Sequence, residues 1–158
     1  MSMRPLRVGG RVRTDSTHVV ACIRDLNRLE FVTETMRCAL EALAVAAPDW
    51  LAASGAVTPD WVQRYAKRAD SYRLPKGEAD RAAFAENVGG DGLALLADLD
   101  DEAAPAWVAE IPAVKTLRTV WAQEYRHDDK GVRWLERKER PPGAERIVTP
   151  HDLDARCG

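Results

Sequence analysis

Three consecutive residues that could take part in chemistry, Asp15, Ser16 and Thr17, follow a short basic stretch. In that stretch, RVRT at residues 11–14, arginine alternates with a β-branched residue. A period of two predicts a strand with two unlike faces, and we place this strand at residues 11–20. A carboxylate at a strand end can bind a hard cation such as Mg²⁺, which prefers oxygen ligands. The structural alternative is an aspartate that ends a strand and begins a turn.

Four arginines lie near the start of the chain, with no acidic residue among them before Asp15. They are Arg4, Arg7, Arg11 and Arg13. Guanidinium groups on a flexible arm can contact DNA phosphates, and four such contacts give weak binding that depends on salt. A solvated arm is an equally good interpretation. The sequence therefore predicts a loose basic arm over residues 1–10 and leaves its role in DNA binding open.

The composition limits the class of protein. The 158 residues are 46% hydrophobic and 30% charged, which fits one ordinary domain with a buried core. No apolar run approaches the roughly 18 residues that span a bilayer, and no secretory signal is recognisable. The formal net charge is −2, so any contact with nucleic acid must be local. Three widely spaced cysteines suggest reduced thiols, and we expect a cytoplasmic protein, or a nucleoid-associated one if DNA is bound.

Most of the chain has a helical pattern, because apolar residues recur at spacings of three and four. Helices are predicted over residues 27–47, 59–69, 78–98 and 112–125. Asn27 and Thr58 are the expected N-caps of the first two. Gly89 and Gly90 are expected to interrupt the third. A Lys-Gly turn before a Val-Arg-Trp run at residues 132–134 predicts one strand of a small hairpin. Residues 136–158 are polar and rich in proline, which predicts an extended tail, poorly ordered or only lightly packed.

Three stretches of the chain, in the same order, resemble the DDE transposases of bacterial insertion sequences. They are RTDSTHVVACIRDLNRLEFVTETMRCALEALAVAAPDWL at residues 13–51, SYRLPKGEADR at residues 71–81 and RIVTPHDLDARCG at residues 146–158. The resemblance is to the group with a helical insertion after the first catalytic strand, and it covers nearly the whole chain from residue 9. At His151 and Leu153 the sequence departs from the family, which usually has tyrosine and proline there.

The resemblance implies a mainly α fold, a helical insertion domain with one or two short strands left from an incomplete RNase H-like core. Residues 11–20 would be the first strand of that core, residues 21–135 the helical insertion region, and residues 136–158 an extended tail that stops before the rest of the catalytic core.

The family cleaves and joins DNA strands at the ends of mobile elements by metal-dependent phosphoryl transfer. Its site uses two aspartates and a glutamate to hold two metal ions, usually Mg²⁺. By its place in the motif, Asp15 would be the first catalytic carboxylate and a metal ligand. The second aspartate and the glutamate are expected beyond this sequence. The chain is therefore predicted to be inactive alone and not to retain Mg²⁺.

A non-enzymatic alternative is a helical interaction module that associates with itself or binds an intact transposase. Without the neighbouring strands of an RNase H-like sheet, apolar surface would be left uncovered, and such surface favours association.

Overall fold

The chain is mainly helical, with one small two-stranded antiparallel sheet. This computed structural model describes the backbone of residues 9–69 and 73–141, and the side chains of residues 23–69, 73–136 and 138–141. In chain order the helices are α1 (Gly9–Ala46), α2 (Pro48–Ser54), α3 (Pro59–Tyr65), α4 (Glu78–Asp100) and α5 (Pro112–Glu124), and the strands are β1 (Tyr125–Asp128) and β2 (Gly131–Trp134). Two short 3-10 helices occupy Ala106–Glu110 and Arg137–Glu139.

The largest difference from the sequence prediction is at the start of the chain. Helix α1 begins at Gly9 and continues for 38 residues, so the strand predicted at residues 11–20 is wrong, and Asn27 lies inside a helix instead of capping one. An alternation of five residues is a weak strand signal. A strand also needs a neighbour to satisfy its backbone groups, whereas a helix satisfies them within itself.

The break after α1 agrees in part with the sequence. Pro48 ends the first helical pattern but also begins the short helix α2, which the sequence analysis did not predict. The next helix begins where predicted. The Thr58 hydroxyl accepts a hydrogen bond from the Trp61 backbone N–H at 3.3 Å, and Pro59 occupies the first helical position. Helix α3 ends at Tyr65, earlier than the predicted residue 69.

Helix α4 is continuous through Gly89 and Gly90, so the predicted interruption is wrong. The glycines instead let aromatic rings approach the helix backbone. A Cβ atom at Gly89 would lie 2.5 Å from a ring carbon of Tyr125, and one at Gly92 would overlap the indole of Trp121. The Trp121 Nε1–H donates to the Gly89 carbonyl at 2.9 Å, and the Tyr125 hydroxyl donates to the Ala85 carbonyl at 2.8 Å. These contacts hold α5 and the start of β1 against α4.

The core lies where α1, α4 and α5 pack together. Its fully buried side chains include Val32, Met36 and Leu43 of α1, Leu95 of α4, and Leu117 and Val120 of α5. The apolar stripe predicted for α1 is therefore the one that faces the core. The tryptophans are divided, since Trp61 and Trp121 are buried but Trp107 is 51% exposed.

The predicted hairpin is present. Strands β1 and β2 pair in antiparallel register, with Tyr125 opposite Trp134 and Asp128 opposite Gly131. Gly131 has a φ of 111°, a backbone conformation that favours glycine. The expectation of a lightly packed tail is wrong for residues 136–141, because Arg140 reaches a buried carboxylate on α5 at 2.8 Å. The rest of the predicted tail, residues 142–158, lies outside the described residues.

Two expectations from composition have different outcomes. Cys38 is buried and disulfide-bonded, so the prediction that all three thiols are reduced is wrong for this residue. Over the part of the chain that the structure describes, no helix has the length and apolar character needed to span a bilayer.

Candidate nucleic-acid interface

A pocket rich in basic side chains lies between α1, α3, the start of α4 and the segments that flank residues 70–72. Its volume is about 360 Å³. Four cationic side chains line it, and we call it the basic pocket: Arg64, Lys67, Arg68 and Arg73. The acidic side chain of Asp60 also lines it, as do Leu74 and Phe84. Residues 70–72 are not described and form no part of the pocket as defined here.

Arg64 is held in place by a buried network. Its Nε donates to Oδ2 of Asp91 at 2.8 Å, and the Tyr65 hydroxyl donates to the same oxygen at 2.6 Å. Burial opposes the charge on Arg64, but Asp91 and Tyr65 keep the pKa of this guanidinium above its ordinary value. Burial and the neighbouring Asp91 together raise the pKa of Tyr65 well above its ordinary value. Arg64 is therefore a fixed, charged wall of the pocket with its own counterion.

Glu34, the carboxylate that pairs with Arg68 within the described residues, already has other partners. Glu34 accepts hydrogen bonds from Arg37 Nε at 2.9 Å and Arg37 Nη2 at 3.1 Å, and from the Ala69 backbone N–H at 2.8 Å. Arg68 Nε lies 3.8 Å from Glu34 Oε1, and the Arg68 side chain is 80% exposed. Such a distant, exposed pair contributes little. Arg68 is thus available to an external anion.

Lys67 and Arg73 are both exposed, and neither makes an ion pair within the described part of the chain. Lys67 directly precedes Arg68 after α3, and Arg73 approaches the pocket from the segment before α4. Three exposed cations therefore border one cavity, beside a fourth that is fixed. This arrangement can bind an anionic group through charge-assisted hydrogen bonds.

A second cluster of charges lies inside the fold, around the fully buried side chain of Glu124. We call it the Glu124 cluster. Arg28 Nε donates to Oε1 of Glu124 at 2.6 Å, and Arg140 Nη2 donates to Oε2 at 2.8 Å. Gln123 Nε2 donates to the same Oε2 at 3.0 Å. The Arg28 guanidinium also lies 4.0 Å from the ring centre of Trp134.

The charged groups of the Glu124 cluster stabilise the fold by pairing with each other. Burial lowers the pKa of Arg28 to about 10, while the attraction of Glu124 opposes this and the nearby Arg140 adds to it. Within the described residues, Trp134 Nε1 and Arg140 Nε are buried without a hydrogen-bond partner. The three charged groups come from α1, the end of α5 and the segment after β2, so they join parts of the chain that are distant in sequence.

None of the sequence-predicted site residues is among the described side chains that line the basic pocket. Arg4 and Arg7 lie outside the described residues. Asp15, Arg11 and Arg13 belong to α1, but their side chains are not described. The proposed role of Asp15 as a catalytic carboxylate and metal ligand stays a prediction, although the helical backbone at Asp15 differs from the strand on which the prediction was based.

The sequence analysis missed the residues that form the basic pocket and the Glu124 cluster. Lys67, Arg68 and Arg73 are visible in the sequence as a basic segment, AKRADSYR at residues 66–73, but its acidic and polar neighbours hid the local patch. No sequence signal marks Glu124 as buried. Among residues with described side chains, no group of three His, Cys, Asp or Glu residues could hold a metal ion.

Comparison with known proteins gives no relative: no protein-family model, no curated protein and no solved structure matches this chain.

Proposed function

We propose that this chain is the helical insertion region of a DDE-type transposase of a bacterial insertion sequence, and that its own contribution is to bind DNA. The parent reaction would be the cleavage and joining of DNA strands at the ends of the element. The three quoted stretches support this proposal, and so does the long helical body that follows the first of them.

The observation that carries the DNA-binding role is the basic pocket. The chain as a whole has a formal net charge of −2, yet Lys67, Arg68 and Arg73 line one cavity, and within the described residues their one ion pair is the 3.8 Å contact between Arg68 and Glu34. When exposed lysine and arginine side chains neutralise DNA phosphates, the cations condensed on the DNA are released, and this release favours binding. A local patch of this kind is what DNA binding by an acidic protein requires.

The catalytic chemistry belongs to the parent family. There, Mg²⁺ supplies an activated nucleophile and stabilises the leaving oxygen when it is bound by three carboxylates. In this chain Asp15 would be the first of them. Because the described side chains gather no such group, we assign no catalytic step to them. The chain is proposed to be inactive alone.

The direct test combines binding and cleavage on the same DNA. The purified chain should raise the fluorescence anisotropy of a labelled duplex, with an affinity that falls as salt increases. The same DNA should stay intact in the presence of Mg²⁺ or Mn²⁺. Cleavage that disappears in Asp15→Ala would contradict the proposed inactivity, and absence of any binding would contradict the DNA role.

A second candidate function is a helical interaction module, which one observation favours. A largely apolar groove of about 280 Å³ is lined by side chains that include Leu40, Leu51, Val57, Trp61 and Val62. Val57 is 41% and Val62 53% exposed. If this groove is an interface with a second copy, sedimentation velocity will detect a dimer that Val62→Lys disrupts. A monomer at every concentration would remove the support for self-association.

A further inference from the structure

We infer that the basic pocket binds one backbone phosphate of DNA, with Lys67, Arg68 and Arg73 in direct contact. The inference rests on the proposed function for the identity of the polymer, but its site is new. It is formed by residues other than the four arginines near the start of the chain, for which the sequence analysis left a role in DNA binding open.

The placement of the three cations is what makes this a site for a single anion. Lys67 and Arg68 follow α3, and Arg73 belongs to the segment before α4, next to Leu74. All three line the same volume of about 360 Å³. A phosphate there would meet ammonium and guanidinium donors from two separate segments of the chain, which a row of lysines along one helix face does not provide.

The neighbouring carboxylates cannot take the place of the phosphate. Asp91 is held by Arg64 and the Tyr65 hydroxyl, with both distances below 3 Å. Glu34 is held by Arg37 and the Ala69 backbone N–H. These two acids therefore order the walls of the pocket and leave its exposed cations to an external ligand. Asp60 also lines the cavity, and its negative charge opposes the binding of any anion there, so the three exposed cations must outweigh it.

The apolar part of the pocket lining suits a nucleotide better than a free ion. Leu74 is buried and Phe84 is partly buried, and both line the same cavity as the cations. An apolar surface next to cationic side chains can contact the deoxyribose while the phosphate is held above it. The contact carries no base information, so we expect it to be independent of sequence.

The test compares two variants that lose the same charge. In the full chain, Lys67→Ala combined with Arg73→Ala removes two pocket cations. The control combines Lys130→Ala with Lys138→Ala, two exposed lysines on the hairpin turn and the 3-10 helix that follows β2. Circular dichroism should show that both variants keep the helical content of the parent chain.

We expect the pocket variant to bind a short labelled duplex at least about 10-fold more weakly at about 0.1 M salt, and the control less than about 2-fold. Because the pocket is proposed to neutralise one phosphate, the slope of log Kd against log salt should fall by at most about 1, and in the pocket variant alone. Lys67→Arg, which keeps the charge, should bind nearly as the parent does.

Each outcome has a distinct meaning. If the parent chain binds DNA and the two double variants weaken binding equally, attraction is diffuse and the pocket is not the site, while the proposed function stands. If the pocket variant binds DNA as tightly as the parent chain, the pocket is again not the site, while the proposed function stands. If the parent chain does not bind DNA, the proposed DNA role and this site are both overturned.

Discussion

Arg28 Nε lies 2.6 Å from Oε1 of Glu124, although 96 residues separate the two in the sequence. The Arg28 guanidinium also donates through Nη2 to the backbone carbonyl of Glu124 at 3.1 Å. Because the Leu135 backbone N–H donates to that same carbonyl at 2.9 Å, one residue anchors the first helix and the end of the hairpin. The Glu124 cluster therefore determines how the hairpin and the segment after it sit on the helical body.

Replacing Glu124 should be strongly destabilising. Glu124→Gln keeps the shape of the side chain but leaves Arg28 and Arg140 facing each other without their shared carboxylate. Breaking a buried ion pair in this way costs about 3–5 kcal/mol in the free energy of unfolding. Urea denaturation followed by circular dichroism measures the loss.

The matched control is Glu41→Gln, which breaks a pair with Arg37 whose carboxylate side chain is 52% exposed. An exposed pair of this kind contributes at most about 1 kcal/mol. If Glu124→Gln and Glu41→Gln destabilise the chain equally, the Glu124 cluster is not the tie that its contacts indicate.

Gly92→Ala should destabilise the packing of α5 on α4. A methyl group at residue 92 would overlap the buried indole of Trp121, so the ring or the helix must move. Overpacking of a close-packed core typically costs about 1–3 kcal/mol. Thermal unfolding followed by circular dichroism should show a lower Tm.

Gly90→Ala is the control for Gly92→Ala, because both glycines lie in α4 and a Cβ at residue 90 meets nothing within 4 Å. Alanine is the better helix former by about 1 kcal/mol, so this variant should be neutral or more stable. A lower Tm for Gly90→Ala than for Gly92→Ala would contradict the close approach of Trp121.

Stability should fall above about pH 10 because of two buried tyrosines. Burial is the first cause that raises the pKa of Tyr65 and of Tyr125 above the ordinary value, so both stay protonated in the folded chain while the unfolded chain ionises. The unfolded state then binds fewer protons, and each tyrosine removes about 1.4 kcal/mol per pH unit. The lowered pKa of Arg28, about 10, makes stability rise with pH in the same range. This is the effect of one group, whereas two tyrosines lower the stability.

The measurement is urea denaturation at a series of pH values, with Tyr65→Phe as the comparison. Phenylalanine cannot ionise in either state, so the variant should lose less stability between neutral and alkaline pH than the parent. The tyrosinate absorbance that the parent chain shows and Tyr65→Phe lacks should rise with unfolding and not before it. Parallel stability curves for the two proteins would argue against the burial of the Tyr65 hydroxyl.

The sequence was sufficient for the helices that carry local signals. Thr58 and Pro59 begin α3 through a cap and a fixed φ, and Pro112 begins α5, all within a few residues in sequence. The sequence was insufficient where a contact with a residue distant in the chain determines the local structure or the burial. Gly89 reads locally as a helix breaker, but its real constraint is the ring of Tyr125, 36 residues away, which no periodicity reports. The burial of Glu124 likewise depends on Arg28 and Arg140, and single residues of these types are ordinarily surface residues.

Asp91→Asn should change stability and DNA affinity in opposite directions. The amide no longer neutralises Arg64 and is a weaker acceptor for the Tyr65 hydroxyl, which now donates to Asp91 at 2.6 Å. Loss of a charged acceptor in a largely buried network should cost about 1–3 kcal/mol of stability. Arg64 meanwhile loses its counterion beside the three exposed cations, so duplex affinity should rise about 3–10-fold at low salt.

Asp100→Asn is the control for Asp91→Asn, because it makes the same change in net charge at an exposed pair with Arg118. Anisotropy titrations and urea denaturation on both variants check the two effects. If Asp91→Asn and Asp100→Asn raise the affinity equally, only net charge matters and Arg64 does not form part of the DNA-binding surface.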